Sequence, residues 1–340
     1  MATIAPAWVQ VHPSFVEPET LVQYNQASGA FDTLSGSAPR VKIGDNDLAV
    51  YIKRLDLRTR MTAAQAAGNQ LPSVTLVNSM ISILTYLFRV RAEYDHHDTA
   101  AAASWGYSIV DGHRLGMRTG HFQLARNALL YGLNPANGEG LLNAPSATTV
   151  SLPADSTGAD TVVTYDNGEM SLFLLGQVQA TKSRTMQLGI GRKFTILGPQ
   201  RVLSQWEYSG IVQLVQFQRP GAGTATTAGV VKEVLLENND QVFWCYDDTL
   251  IGKGAGGTDA VLIVMPEVAK PQGGQIDTNE FAKLAPGLDA CTLMYCNMPA
   301  PREIPTPLPG GAIDVTSEWR VSPGWGIRPE AISIISMAYQ

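Results

Sequence analysis

Apolar and polar positions along the chain fall into distinct regimes. The first 45 residues follow no period. Pro6, Pro13, Pro18 and Pro39 interrupt them, and Ser28-Gly29-Ala30 and Ser35-Gly36-Ser37 add turn residues. Such a stretch gains little from burial and reads as an extended arm, ordered only where it lies on something, or as a frayed terminus. Over 48–61 the pattern alternates. Tyr51, Lys53, Leu55, Leu57, Thr59 and Met61 share one face, and Val50, Ile52, Arg54, Asp56, Arg58 and Arg60 the other, which is the period of a strand. Residues 74–91, rich in Val, Ile, Leu and aromatics, form a second extended limb, although that run alone also suits a helix. Between the limbs, 62–72 is small and polar, with Gly68-Asn69 as a turn signal. Fourteen extended residues reach ~45 Å, whereas a compact domain of this length has a radius of gyration near ~20 Å. Such a hairpin either spans the body or projects from it, and a projecting one needs a partner to cover it. The plainer reading is two core strands joined by a long loop.

The clearest helical pattern is 98–131. Asp98 is placed to cap it, 100–103 are alanines, and Trp105, Ile109, Leu115, Phe122, Leu124, Leu129 and Leu130 supply apolar positions. Gly132 and Pro135 stop it. One continuous helix of 34 residues would span ~50 Å. Gly112, Gly116 and Gly120 recur at every fourth position, where they bend the helix, split it or let a neighbour approach. The interleaved His113, Arg114 and Arg118 exclude a membrane-dimer reading of that spacing.

From about 148 helices and strands alternate. Asp166 with Glu169 resembles a capping box, opening a helix to about Thr185 with Met170, Phe173, Leu174 and Val178 as its buried stripe. Residues 192–197 read as a strand, and Gly198-Pro199 then opens a short helix through Trp206. Residues 211–217, 230–236, 242–246 and 260–265 read as strands. A Pro-rich connector covers 299–311. Ile313, Val315, Ser317, Trp319 and Val321 then alternate with Asp314, Thr316, Glu318 and Arg320, a half-buried strand, and 331–337 is the last strand. There is no internal repeat.

Composition narrows the function classes. Of 340 residues, 45% are hydrophobic and only 16% charged, against an ordinary charged share of about a quarter. A surface poor in charge suits one covered by other subunits. The balance of 24 basic against 30 acidic residues, net −6, argues against gripping nucleic acid through a basic face, but not against a shell around packed DNA. Cys245, Cys291 and Cys296 are too few for a disulfide framework and fit a reducing cytoplasm. No signal-peptide pattern opens the chain, and no apolar run has the length of a membrane span.

Candidate chemistry is thin. Gly252 to Gly257 satisfies G-x-G-x-x-G, but a strand follows where a nucleotide fingerprint needs a helix N-terminus, so a hairpin loop is preferred. Lys253 is not followed by Ser or Thr, which removes a Walker loop. His96, His97, His113 and His121 are spaced poorly for a shared ion, and Cys291 and Cys296 have no second pair. There is no G-x-S-x-G elbow, and Asp247-Asp248 reads as a turn. No catalytic, cofactor-binding or metal-binding residue is assigned, and an enzyme is not expected.

Arg126-Asn127-Ala128-Leu129-Leu130-Tyr131-Gly132, followed by Gly138-Glu139-Gly140-Leu141-Leu142-Asn143-Ala144-Pro145, resembles the spine-helix end of tailed-phage capsid proteins. The closing strands around Trp325-Gly326-Ile327-Arg328-Pro329 are similar to that family's, as is the order of parts. The resemblance implies an α+β fold of the Hong Kong 97 type. Its parts would be an N-terminal arm (1–45), an extended hairpin loop (46–95), a peripheral domain with a long spine helix (96–147 and 299–340) and an axial domain (148–298). It further implies a major capsid protein that assembles with itself as hexamers and pentamers into an icosahedral head around double-stranded DNA, with no sequence-specific DNA binding, no cofactor and no membrane. A separate scaffold protein and a portal are the expected partners, with room for a decoration protein. The expected location is the virion, after assembly in the host cytoplasm. Lys53, Arg54, Arg58 and Arg60 are the candidates for inter-subunit contact. The alternatives are an encapsulin-type nanocompartment shell, a cytosolic α+β enzyme with an unrecognised site, and a tail or decoration component.

Overall fold

The computed structural model describes residues 34, 41–58, 75–104, 106–156, 158–188, 190–208, 210–211, 225–268 and 293–340. Most of the expected arm, the turn at 62–72, Arg60 and residues 212–217 of an expected strand lie outside them.

The alternating limb at 48–61 forms β1 (Ala49–Arg58), paired antiparallel with β2 (Thr75–Leu84) from Ala49 opposite Leu84 to Arg58 opposite Thr75. The second limb is not a single strand. It stops at Leu84 and resumes as β3 (Tyr86–Tyr94) in a different sheet. Thr85 makes the change. Its N–H donates to the Leu48 carbonyl (3.0 Å), its hydroxyl donates to the Asp47 carbonyl, and Arg320 Nη1 donates to the same hydroxyl (3.2 Å). These long-range bonds satisfy the polar groups of a buried residue where the ladder changes partner.

The expected 34-residue helix is two: α1 (His96–Ser104) and α2 (Ile109–Leu130). Gly106 takes a left-handed φ of 76° in the break, and Ser108 caps α2 by accepting from the Asp111 N–H (3.2 Å). The three spaced glycines stay within α2 and do not split it. Asp95, not Asp98, occupies the cap of α1. Its carboxylate accepts from the Asp98 N–H (2.7 Å), and the Asp98 carboxylate accepts in return from the Asp95 N–H (3.2 Å), a reciprocal capping box.

After β4 (Thr148–Ser151) comes α3 (Asn167–Arg184). Asp166 caps it through the Gly168 and Glu169 N–H groups (2.7 and 3.2 Å), while the Glu169 carboxylate accepts from Ser156 instead of closing the expected box. Then follow β5 (Lys193–Gly198), α4 (Gln200–Tyr208), α5 (Thr227–Glu237), β6 (Gln241–Tyr246) and β7 (Asp259–Val264). The expected strand at 230–236 is therefore helical. Val231 and Leu235, one turn apart, are buried, and Thr226 caps the helix through the Gly229 N–H (3.1 Å). Tertiary packing of this stripe overrides the strand preference of the Val residues. The chain closes with β8 (Arg302–Pro307), β9 (Ile313–Val321) and β10 (Ile332–Met337).

Two five-stranded sheets organise these elements. In the first, β9 is central, with β3 along one side and β8 along the other. The short strands Cys296–Asn297 and Val41–Lys42 extend it. The second runs β4-β10-β7-β5-β6. Its middle strand β7 is buried at all six positions because both faces are covered. Ala260, Leu262 and Val264 join Leu129, Leu130, Leu141 and Trp319 in one core, and Val261 and Ile263 join Met170, Leu174, Val202, Trp206 and Val231 from α3, α4 and α5 in the other. Each buried Val, Leu, Ile or Met side chain among them contributes about 1.5–3 kcal/mol when taken from water. The closing strand β10 lies between β4 and β7 in this second sheet, while β9 stays in the first. No helix among the described residues is long and apolar enough to cross a membrane.

Candidate assembly surfaces

The Gly-Glu-Gly-Leu-Leu-Asn run is a joint. Gly132 ends α2 with a φ of 68°, and a Cβ there would lie 2.5 Å from the Glu139 backbone. A Cβ on Gly140 would lie 2.4 Å from the Gly132 nitrogen. Only glycine permits this approach. Asn143 donates its amide to the Tyr131 and Glu139 carbonyls (2.9 and 3.0 Å). The buried Glu139 carboxylate accepts from the Leu133 and Asn134 N–H groups (3.2 and 2.7 Å) and from the Tyr86 hydroxyl (3.1 Å). Burial and this bond raise the Tyr86 pKa. Gly140 N–H donates to the Gly324 carbonyl and Gly324 N–H to the Ala128 carbonyl, both at 2.8 Å. The helix end, the loop, β3 and the closing strands are thus locked together at one point.

The β1–β2 ribbon is built differently. Ile52 and Ile83 are buried at its base with Ile43 and Cys296. One face is left open from the base outward: Leu84 is 52% exposed, Tyr51 65%, Met80 60% and Leu76 62%. The register sets the exposed Lys53 opposite Met80, Arg54 opposite Ser79 and Arg58 opposite Thr75. A two-stranded ribbon is marginally stable alone, and a contiguous exposed apolar face of this kind marks a contact surface.

The other sequence candidates resolve into structural roles. Gly252 to Gly257 is a surface turn leading directly into β7, with Gly252, Gly256 and Gly257 at positive φ. The Asp247 carboxylate accepts from Thr249, and Asp248 accepts from the Gln200 N–H (2.7 Å) at the start of α4. His121 is buried between α2 and β9, its Nε2 2.9 Å from Ser317 Oγ and its ring edge-on to Trp319 at 5.5 Å. Burial lowers its pKa. His113 stacks on Tyr94, and the rings of His96 and His97 lie 3.9 Å apart. Among the described residues no three His, Cys, Asp or Glu side chains could hold a metal. The pattern also missed two buried-acid ion pairs in the body: Lys182 with Asp240 at 2.8 Å, and Arg201 with Asp259 at 2.6 and 2.7 Å. Neither leaves a local signature, since the partners are 58 residues apart in both cases.

No protein-family model and no curated protein sequence matches the chain. Solved structures do match, along nearly its whole length. The capsid of Myoviridae phage XM1 superimposes with a TM-score of 0.67 at 11% identity, covering 95% of this chain and 96% of that one. The capsid of cyanophage P-SCSP1u gives 0.57 at 11% identity, covering 98% and 94%. The capsid of the empty GTA particle gives 0.55 at 11% identity, covering 96% and 95%. The mixed helix-and-sheet fold of this chain is that of phage capsid proteins, as the Gly-Leu-Leu-Asn joint and the order of parts led one to expect.

Proposed function

We propose that this chain is a structural major capsid protein of a tailed bacteriophage and has no enzymatic role. The carrying observation is the capsid fold extending over at least 95% of the chain. The open ribbon is the part of the fold that its own subunit leaves uncovered. In this reading subunits gather as hexamers and pentamers and close an icosahedral head around double-stranded DNA, held without sequence-specific contacts, in keeping with the net charge of −6. The ribbon lies over a neighbouring subunit, with Lys53, Arg54, Arg58 and Arg60 at its contacts. Charged pairs at such a rim fix register more than they add affinity. The arm is 1–45, the extended loop 46–95, the peripheral domain 96–147 and 299–340, and the axial domain 148–298, whose sheet β10 enters from the peripheral stretch. A separate scaffold protein and a portal are its partners, with room for a decoration protein, and the virion is assembled in the host cytoplasm.

Electron microscopy of the protein, produced alone and with its genomic neighbours, tests this reading. Closed shells of one repeated subunit support it, and DNA rather than an enclosed enzyme separates a phage head from a nanocompartment. A monodisperse small species under both conditions overturns it.

A further inference from the structure

We infer that Asn137 is a self-modifying site: its side-chain amide is converted, without any enzyme, to aspartate and isoaspartate beside the Gly-Glu-Gly-Leu-Leu-Asn joint. The inference stands on the geometry of the joint and is independent of the shell reading. The chain holds two Asn-Gly pairs, Asn137-Gly138 and Asn167-Gly168. Glycine after asparagine leaves its backbone nitrogen unshielded by a Cβ, so the preceding side chain can reach it. In the reaction the Gly138 N–H gives its proton to solvent hydroxide and the nitrogen bonds to Asn137 Cγ. The Cγ–Nδ2 bond breaks, and the amide nitrogen leaves as ammonia. Water then opens the cyclic imide. Opening at Cγ gives aspartate; opening at the backbone carbonyl gives isoaspartate, in which the chain runs through the side chain.

The structure separates the two pairs. Asn137 is exposed at the end of a single 3-10 turn, Pro135–Asn137, and its side chain makes no hydrogen bond among the described residues. One bond, from the Gly138 N–H to the Pro135 carbonyl (3.0 Å), holds the attacking nitrogen. A lone surface turn opens at little cost. Asn167 instead begins α3. The Gly168 N–H donates to the Asp166 carboxylate (2.7 Å), and the Asn167 carbonyl accepts from the Ser171 and Thr227 hydroxyls (2.9 and 3.2 Å). Closing the ring there unwinds the first turn of an 18-residue helix.

The position of Asn137 gives the reaction a consequence. Isoaspartate adds a methylene to the backbone between 137 and 138, where there is no slack. A Cβ on Gly138 would lie 2.6 Å from Pro145 Cγ, and one on Gly132 lies 2.5 Å from the Glu139 backbone. The extra length therefore displaces Glu139, whose carboxylate holds the Leu133 and Asn134 N–H groups. The joint ages from one exposed residue.

Incubating the full-length protein at mildly alkaline pH tests this. Cleavage after glutamate then puts the two pairs on separate peptides, because Glu139 lies between them. Mass spectrometry follows the gain of an amide-to-acid exchange, and chromatography resolves the aspartate from the isoaspartate form. Conversion at Asn137 is expected to be roughly tenfold or more faster than at Asn167, which has more bonds to release. Isoaspartate should accumulate, and the aged protein should unfold at lower urea. Asn137→Gln, which needs a larger ring, should abolish both the conversion at that position and the urea shift. An Asn137 that keeps its amide, or equal rates at the two pairs, overturns the assignment. Conversion with an unchanged urea midpoint, or the same shift in Asn137→Gln, overturns the link to the joint.

Discussion

Strands β7 and β2 are both rich in apolar residues, yet they end in opposite situations. All six residues of β7 are buried, its alternate side chains entering two separate cores. In β2 only Ile83, at the base, is buried among the residues whose side chains are described, while Leu76, Val77, Met80 and Leu84 remain open to solvent. A strand's own composition therefore does not say whether its subunit completes its environment. The body does so within one chain, and the ribbon does not. Substitutions should accordingly separate stability from assembly.

The largest effect on the unassembled subunit is expected in the body. Leu262→Ala removes a fully buried side chain from the middle strand and should cost about 2–5 kcal/mol, measured by urea unfolding. At the joint, Glu139→Gln keeps the shape but replaces an acceptor-only carboxylate facing two N–H groups and a hydroxyl. A loss of about 1–3 kcal/mol is expected. A smaller effect depends on pH. Because burial holds the His121 pKa below its ordinary 6.5, the unfolded chain binds more protons in the window just under that value. His121 thus adds its full share of stability above 6.5 and loses it as pH falls through the lowered value. His121→Gln should flatten that part of the stability–pH curve. Smallest of all, Met80→Ser on the open face should change subunit stability by no more than about 0.5 kcal/mol while abolishing shells seen by electron microscopy. If Met80→Ser instead destabilised the subunit as strongly as Leu262→Ala, the contrast between body and ribbon would collapse.

Much of this was legible where the determinants are local. The alternation of β1 and β9, the unbroken apolar run of β7 and the Gly132 stop are written into neighbouring residues, and the order of parts was enough to anticipate the capsid fold. Thr85 was not legible, because the switch from the ribbon to the first sheet depends on Asp47, Leu48 and Arg320, the last 235 residues away. The break at 106–108 hid between two stretches that both suit a helix, and α5 hid behind its Val residues, whose burial only the packed sheet reveals. Of the contact candidates, the structure gives Lys53 an exposed position and Arg54 and Arg58 a register, while Arg60 lies outside the described residues. Glu139 went unremarked as a functional anchor. An acid set between two glycines just after a helix stop was the available signal.

Strand β10 carries a consequence for how the protein is made. It sits inside the second sheet, with β4 on one flank and β7 on the other, yet it leaves the ribosome after every other strand of that sheet. Until then β4 has no hydrogen-bonding neighbour in the sheet and β7 has one bare edge. Nascent chains therefore cannot present a finished body, and pairing across such sequence distances is slow. A chain truncated before Ile332 leaves β4 without its strand partner and one edge of β7 bare, so its second sheet stays incomplete.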